Sequence, residues 1–228
     1  MSKRALLLAL VALASGCGGS SSPQHETTTV HVPVSPSPMA LTVFKVENGT
    51  LHAETVNVPA TRAVAHAALG ALGLGGADVT IDAGTASVQL DNPTTEQVAE
   101  IVYTLTQYSS VQRVDVGGRM GLARDDVATF VPPILVEKPA NGGTVGTTFT
   151  VSGTASVFEA TLVLEVSKGT AMLSRQTVTA SEGAPGRGTF STTVHAPAGH
   201  ITLAAYSPSA EDGSRQHEQD LSLTVIKP

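Results

Sequence analysis

The chain has 228 residues, 41% of them apolar and only 14% charged, with one cysteine and no tryptophan; globular chains usually carry about 25% charged residues. Its 13 basic and 19 acidic side chains leave a formal balance of −6 with the basic residues scattered, which excludes the clustered Lys and Arg that neutralise nucleic-acid phosphates. A single thiol excludes an internal disulfide framework and any multi-thiolate metal site, and the length suits one large or two small domains.

Lys3 and Arg4 precede an apolar run from Ala5 to Ala14, followed by Ser15, Gly16 and Cys17. This is the charged, apolar and small-residue order of a secretory signal. The run would span roughly 15 Å of a hydrocarbon core about 30 Å thick, so residues 1–16 are expected to be a processing signal and not a membrane span. The string Leu13-Ala-Ser-Gly-Cys17 resembles a bacterial lipobox, with Ala14 where leucine is commoner. That resemblance implies lipidation of Cys17 through a thioether, with acyl chains such as palmitate holding the protein on the extracytoplasmic side of a membrane at ~0.8 kcal/mol per buried methylene. The same residues also fit a plain secretory signal with an incidental thiol. Loss of residues 1–16 removes Lys3 and Arg4, leaving 11 basic against 19 acidic residues, a balance of −8. Residues 17–40, rich in Gly, Ser and Thr with prolines at 23, 33, 36 and 38, are expected to form a flexible tether.

Residues 41–131 are expected to form a small α+β domain. The β-prone runs 41–47 and 51–58 flank Asn48-Gly49, the dipeptide of a type I′ hairpin; Asn48-Gly49-Thr50 also fits a glycosylation acceptor, with the turn the favoured reading. Residues 61–72 place Val64, Ala68, Ala71 and Leu72 on one helical side and end in glycines 73, 75 and 76. Runs 79–82 and 86–90 around Ala83-Gly84-Thr85 predict a second hairpin. Pro93 is then placed at the first helical position, Thr94 and Gln97 as a capping box, and Val98, Ile101, Val102, Leu105 and Tyr108 along one seam. Val111 to Val116 reads as a returning strand before Gly117-Gly118. The predicted order is ββαββαβ, with helices on one face of a sheet.

The run Glu100-Ile-Val-Tyr-Thr-Leu-Thr-Gln-Tyr108, the strand 111–116 and the Gly117-Gly118 turn resemble the GerMN domain of sporulation and germination lipoproteins. The chain departs from that family where Gly73-Leu74-Gly75-Gly76 replaces its usual Gly-Pro. The resemblance implies an assembly role in the cell envelope and no catalytic residues.

Val131-Pro132-Pro133 breaks the chain, and residues 134–228 change to alternating periodicity. Seven runs, at 134–138, 147–153, 160–167, 171–179, 189–194, 200–206 and 220–226, predict an all-β immunoglobulin-like sandwich. Its expected core is Phe149, Val151, Val157, Phe158, Leu162, Leu164, Val166, Phe190, Leu203, Leu221, Leu223 and Val225. The strings Val151-Ser-Gly-Thr-Ala155, Val157-Phe-Glu-Ala160, Gly188-Thr-Phe190 and Tyr206 to Ser214 resemble the immunoglobulin-like domain that accompanies GerMN in spore germination proteins.

Chemistry is thinly signalled. His25 and His31 lie in the tether, and His52, His66, His195, His200 and His217 lack ligand-like spacing, so no metal, cofactor or catalytic residue is assigned. Asp125-Asp126 reads as a solvated turn against an acid/base or Ca²⁺ pair, and Glu211-Asp212-Gly213 as a glycine turn against a Ca²⁺ loop. Glu159, beside Phe158, is expected to accept backbone hydrogen bonds at a strand crossing. Two functions remain in play: a lipid-anchored envelope interaction or assembly protein, binding an envelope protein or itself, and a lipoprotein that binds a wall fragment or small solute where the two domains meet.

Overall fold

Asn48 and Gly49 take φ of 51° and 80°, the two positive angles a type I′ turn requires. They fold β1 (Pro38–Glu47) back on β2 (Thr50–Pro59) with Glu47 opposite Thr50. The computed structural model describes residues 37–227; the predicted signal at 1–16, Cys17 and the predicted tether up to residue 36 lie outside them. Residues 38–40, expected to end the tether, instead begin β1. Pro38 takes the first strand position, where its missing N–H matters least, and Met39 packs with Leu41 and Val43 against α1 (Val64–Ala71).

α1 is shorter than expected at its N-terminus, where no side chain caps it. It stops where Gly73 turns to φ 80° and Leu74 N–H reaches back to the Leu69 carbonyl at 2.9 Å, a C-terminal closure that glycine favours. Ala83 and Gly84, both at positive φ, close the hairpin of β3 (Asp78–Asp82) and β4 (Thr85–Gln89). α2 (Thr95–Thr106) begins on the predicted capping box: Thr94 Oγ1 accepts from Gln97 N–H at 3.1 Å, and Gln97 Oε1 accepts from Thr94 N–H at 3.0 Å. Pro93 precedes the cap and does not occupy the first helical position.

β5 (Arg113–Val116) runs parallel to β4 across α2, and a strand not predicted, β6 (Arg119–Leu122), pairs with β5 through the Gly117-Gly118 turn. The order is therefore ββαββαββ. A kinked 3₁₀ segment, Arg124–Phe130, follows. The strands form two sheets, the β1–β2 ribbon and a sheet in the order β3-β4-β5-β6, where a single sheet with helices on one face was expected. The reason lies in α2, which is buried nearly all round and serves both. Ile101, Val102 and Leu105 share one core with Val88, Val114 and Val116 of the sheet and with Phe44 and Leu51 of the ribbon. Toward the ribbon, Thr104 Oγ1 accepts from Phe44 N–H at 2.9 Å and Glu100 Oε1 from Val46 N–H at 2.9 Å.

The second half forms β7 (Ile134–Lys138), β8 (Thr144–Gly146), β9 (Thr148–Ala155), β10 (Thr161–Lys168), β11 (Ala171–Thr179), β12 (Gly188–His195), β13 (Gly199–Pro208) and β14 (Arg215–Ile226). One sheet has the order β11-β10-β13-β14-β8 and the other β12-β9-β7, a two-layer sandwich with alternating inward residues. The run predicted at 147–153 becomes β9, and β8 just before it is an eighth strand that was not predicted: β8 pairs parallel with β14 in one sheet while β9 pairs with β12 and β7 in the other. Of the predicted core, all but Phe158 are buried together. Phe158 is 69% exposed. Glu159 and Ala160 take φ of 51° and 55°, and this left-handed pair interrupts the alternation before β10 begins, so Val157 enters the core and Phe158 leaves it.

Candidate functional site

β7 is the element on which the two halves meet. Ile134 and Val136 face the sandwich core, and Leu135 between them enters the core built around α2. Both faces of the strand are thus buried, as its unbroken apolar run Ile134-Leu135-Val136 requires. Ala140, just beyond, also joins the α2 core.

Asn141 then fastens β2 to β14. Its N–H donates to the Ala53 carbonyl at 2.9 Å, its carbonyl accepts from Thr55 N–H at 2.8 Å, and its Oδ1 accepts from Ser222 N–H at 2.9 Å. On another side of β7, Arg124 Nη1 donates to both oxygens of Glu137 at 2.8 and 3.0 Å and its Nε donates to Thr106 Oγ1 at 3.0 Å. Its guanidinium lies 4.6 Å from the Tyr103 ring centroid and 5.9 Å from that of Phe44, within cation–π range. Arg187 Nη2 donates to the Pro132 carbonyl at 2.8 Å, and Gln219 Oε1 accepts from Val136 N–H at 2.8 Å.

Two grooves flank this junction. One, of about 440 Å³, is lined by Arg124, Glu137, Ser152, Thr154 and Ser191; the other, of about 410 Å³, by Thr55, Asn57, Lys138, Thr144 and Thr150. The Arg124 charge is already engaged by Glu137, and the rest of the first groove mixes serine and threonine hydroxyls with Lys138 and Phe190. Grooves this open suit contact with a partner's surface; a small-molecule site more often encloses most of its ligand.

A second built feature lies on the outer face of the five-stranded sheet. Glu165, 8% exposed, accepts from Arg175 Nε and Nη2 at 2.9 and 2.7 Å and from Arg215 Nη2 at 2.6 Å. Arg215 also reaches Glu218 at 2.6 Å and lies 4.4 Å over the Tyr206 ring. Together these side chains cover a small apolar cluster of Val163, Ala204 and Tyr206. Hydrogen bonds from Arg175, and then those from Arg215, hold the Glu165 carboxyl below the usual carboxylate range, against the opposing effect of burial. Burial and the Glu218 charge push neighbouring Asp220 the other way.

A carboxyl whose folded pKa is depressed contributes stability above its unfolded value, about 4.3 for Glu, and loses it as pH falls through the folded value. Glu165→Gln is therefore expected to melt below wild type at neutral pH, by about 1 kcal/mol for so solvent-screened a pair of arginines. The gap should close as the pH falls below the unfolded value in paired thermal melts; a gap of constant size would deny the carboxylate this role.

The other sequence candidates scatter. Asp126 Oδ2 accepts from Ala123 N–H at 2.8 Å and starts the 3₁₀ segment, while Asp125 is exposed. Asp212 Oδ1 accepts from Ser214 N–H and Oγ at 3.0 and 2.7 Å beside Gly213 at φ 74°, a closed turn. Glu159 does not accept backbone hydrogen bonds through its carboxylate as expected; its carbonyl accepts from Thr161 Oγ1 at 3.0 Å and its side chain is exposed. His52 meets the Thr50 hydroxyl within β2, His195 meets Thr148 across β12 and β9 and His200 meets Thr224 across β13 and β14, at 2.9–3.2 Å, and among the described residues no three His, Cys, Asp or Glu converge as a metal site would need. No described helix is long and apolar enough to cross a membrane. Asn141, Leu135 and the Glu165 cluster were missed. The apolar run of β7 was the one available signal among them.

Residues 133–214 match the family model described as the immunoglobulin-like domain of bacterial spore germination. Among solved structures the chain is similar to the tandem GerMN domains of the sporulation protein GerM from Bacillus subtilis, with 22% identity and a TM-score of 0.32, over 40% of this chain and 48% of that one. The chain thus spans about half the length of that structure. No curated protein matches the chain.

Proposed function

We propose that this chain is a lipid-anchored interaction module on the extracytoplasmic side of a bacterial membrane, associated with sporulation or germination, that binds an envelope protein or a second copy of itself. The observation that carries this reading is the match of residues 133–214 to the immunoglobulin-like domain of bacterial spore germination. The GerMN-like character of the preceding α+β half is part of the same reading, on the residues from Glu100 to Gly118. In this reading the lipid on Cys17 supplies the membrane affinity, because a mature balance of −8 is weakly repelled by an anionic bilayer. No catalytic residue or cofactor is assigned. The open junction grooves fit surface contact better than enclosure of a solute, which sets the solute-binding alternative second.

Photo-crosslinking side chains placed on exposed strands of both halves, in cells that make the protein, test the interaction role. Discrete adducts with envelope proteins or with the chain itself are expected, and their absence from every position would overturn it. For the anchor, Cys17→Ser is expected to move the protein from the membrane fraction to the soluble fraction after lysis. Retention of the variant at wild-type level would refute lipidation at Cys17.

A further inference from the structure

Asparagine followed by glycine occurs twice in the chain, at Asn48-Gly49 and at Asn141-Gly142. The dipeptide carries a reaction of its own. Glycine has no side chain to shield its amide nitrogen, so that nitrogen can close on the carboxamide carbon of the asparagine before it and form a succinimide ring. Whether it does so depends on what holds the two groups, and the fold holds the two dipeptides differently.

Asn48 and Gly49 form the exposed tip of the β1–β2 hairpin, both at positive φ. The ladder ends at Glu47 and Thr50, and no described group accepts from the Gly49 N–H. Thr50 Oγ1 donates to the Glu47 carbonyl at 3.1 Å and meets His52 Nε2 at 3.0 Å, passing the Asn48 carboxamide by. Nucleophile and electrophile are therefore both free, at a hairpin tip that opens locally without disturbing the core. Asn141 is the opposite case. Gly142 also takes a positive φ, 75°, but its N–H donates to the Ser222 carbonyl at 2.9 Å while Ser222 N–H donates to Asn141 Oδ1 at 2.9 Å. The Asn141 carbonyl is fixed as well, by Thr55 N–H at 2.8 Å. Bringing Gly142 N onto the carboxamide carbon turns the Asn141 Cα–C bond and breaks all three.

We propose that Asn48 is a site of spontaneous covalent change in the folded protein, closing with Gly49 to a succinimide that water opens to aspartate or isoaspartate, and that Asn141 is kept intact by its hydrogen bonds. Gly49 N loses its proton to solvent base and attacks Asn48 Cγ. The N–Cγ bond forms, the Cγ–Nδ2 bond breaks, and Nδ2 leaves as ammonia. One water then adds at a ring carbonyl: at Cγ it leaves aspartate, and at the main-chain carbonyl carbon it leaves isoaspartate, whose backbone runs through the side chain. One water enters and one ammonia departs, with no change of oxidation state. Either product adds a negative charge beside Glu47. Aspartate can keep the turn, because Asp-Gly also suits type I′. Isoaspartate lengthens the turn by a methylene and removes the geometry that sets the register of β1 on β2.

Peptide mapping by mass spectrometry, on the full-length protein warmed in mildly alkaline buffer and sampled over time, reads this out. Asn48 is expected to convert to acid, and Asn141 to lag it at least about tenfold, since three hydrogen bonds must open first. In guanidinium chloride strong enough to unfold the chain, the two should convert at similar rates. Asn48→Asp should melt like wild type and keep the Glu47 and Thr50 amides protected from hydrogen exchange, while aged protein enriched in the isoaspartyl form should lose that protection. If Asn48 stays intact in the folded protein while the unfolded chain converts, or if Asn141 converts in step with it under native conditions, the assignment is overturned.

Discussion

Leu135→Ala is expected to destabilise the chain by about 2–5 kcal/mol, the range for deleting a fully buried leucine side chain, and to do so in both halves together. Leu135 is 0% exposed and belongs to the core around α2, although its strand neighbours Ile134 and Val136 belong to the sandwich core. A cavity at this position loosens β7, and β7 carries the other core on its opposite face. Methyl signals from Leu105 on one side and Leu203 on the other should therefore disappear at one shared, lowered denaturant midpoint. Two midpoints, with only the Leu105 side shifted, would mean that the halves unfold independently. The Asn141 and Arg124 contacts argue for the shared transition, since they tie β2 to β14 and the 3₁₀ segment to β7.

What was legible beforehand was local chemistry. Asn48-Gly49 can supply two positive φ angles, Thr94 and Gln97 can satisfy each other's N–H groups, and the seam of α2 repeats at helical spacing; each depends on residues a few positions apart. The seven runs of the sandwich were legible for the same reason, as alternation within a strand. Phe158 was not, because period-two alternation says nothing of the left-handed pair Glu159 and Ala160 that shifts the strand's phase. β6 was not, because four residues containing a glycine and an arginine carry no β signal until β5 is beside them. The junction was least legible. Asn141 meets Ser222 across 81 positions, and Glu165 gathers Arg175 and Arg215 from 10 and 50 positions away, so no window of sequence contains either arrangement. Cys17, the one site residue assigned from sequence, falls outside the described residues.

Gly153→Ala is the second change expected to break the molecule, by about 3 kcal/mol or more, at the upper end of what overpacking costs. Gly153 lies in β9 opposite Val136 of β7, where the pairing shifts register before Lys138. A Cβ built there runs into the carbonyl oxygen of Leu135 and stands 3.0 Å from both the Leu135 carbonyl carbon and the Val136 Cα. All three are backbone atoms, so no rotamer change relieves the overlap; β7 itself must move. Moving it withdraws Leu135 from one core and Val136 from the other and pulls Val136 N–H from Gln219 Oε1, leaving a buried donor without its acceptor, which itself costs about 1–3 kcal/mol. Gly146→Ala is the matched control, since its Cβ would meet only the Thr148 carbonyl oxygen, at 3.7 Å, an ordinary contact. Thermal melts should show Gly146→Ala close to wild type and Gly153→Ala far below it, with the α2 core lost along with the sandwich. If Gly153→Ala instead melts with the control, β9 does not press on β7 as closely as the backbone contacts require, and β7 is not the shared support of the two cores.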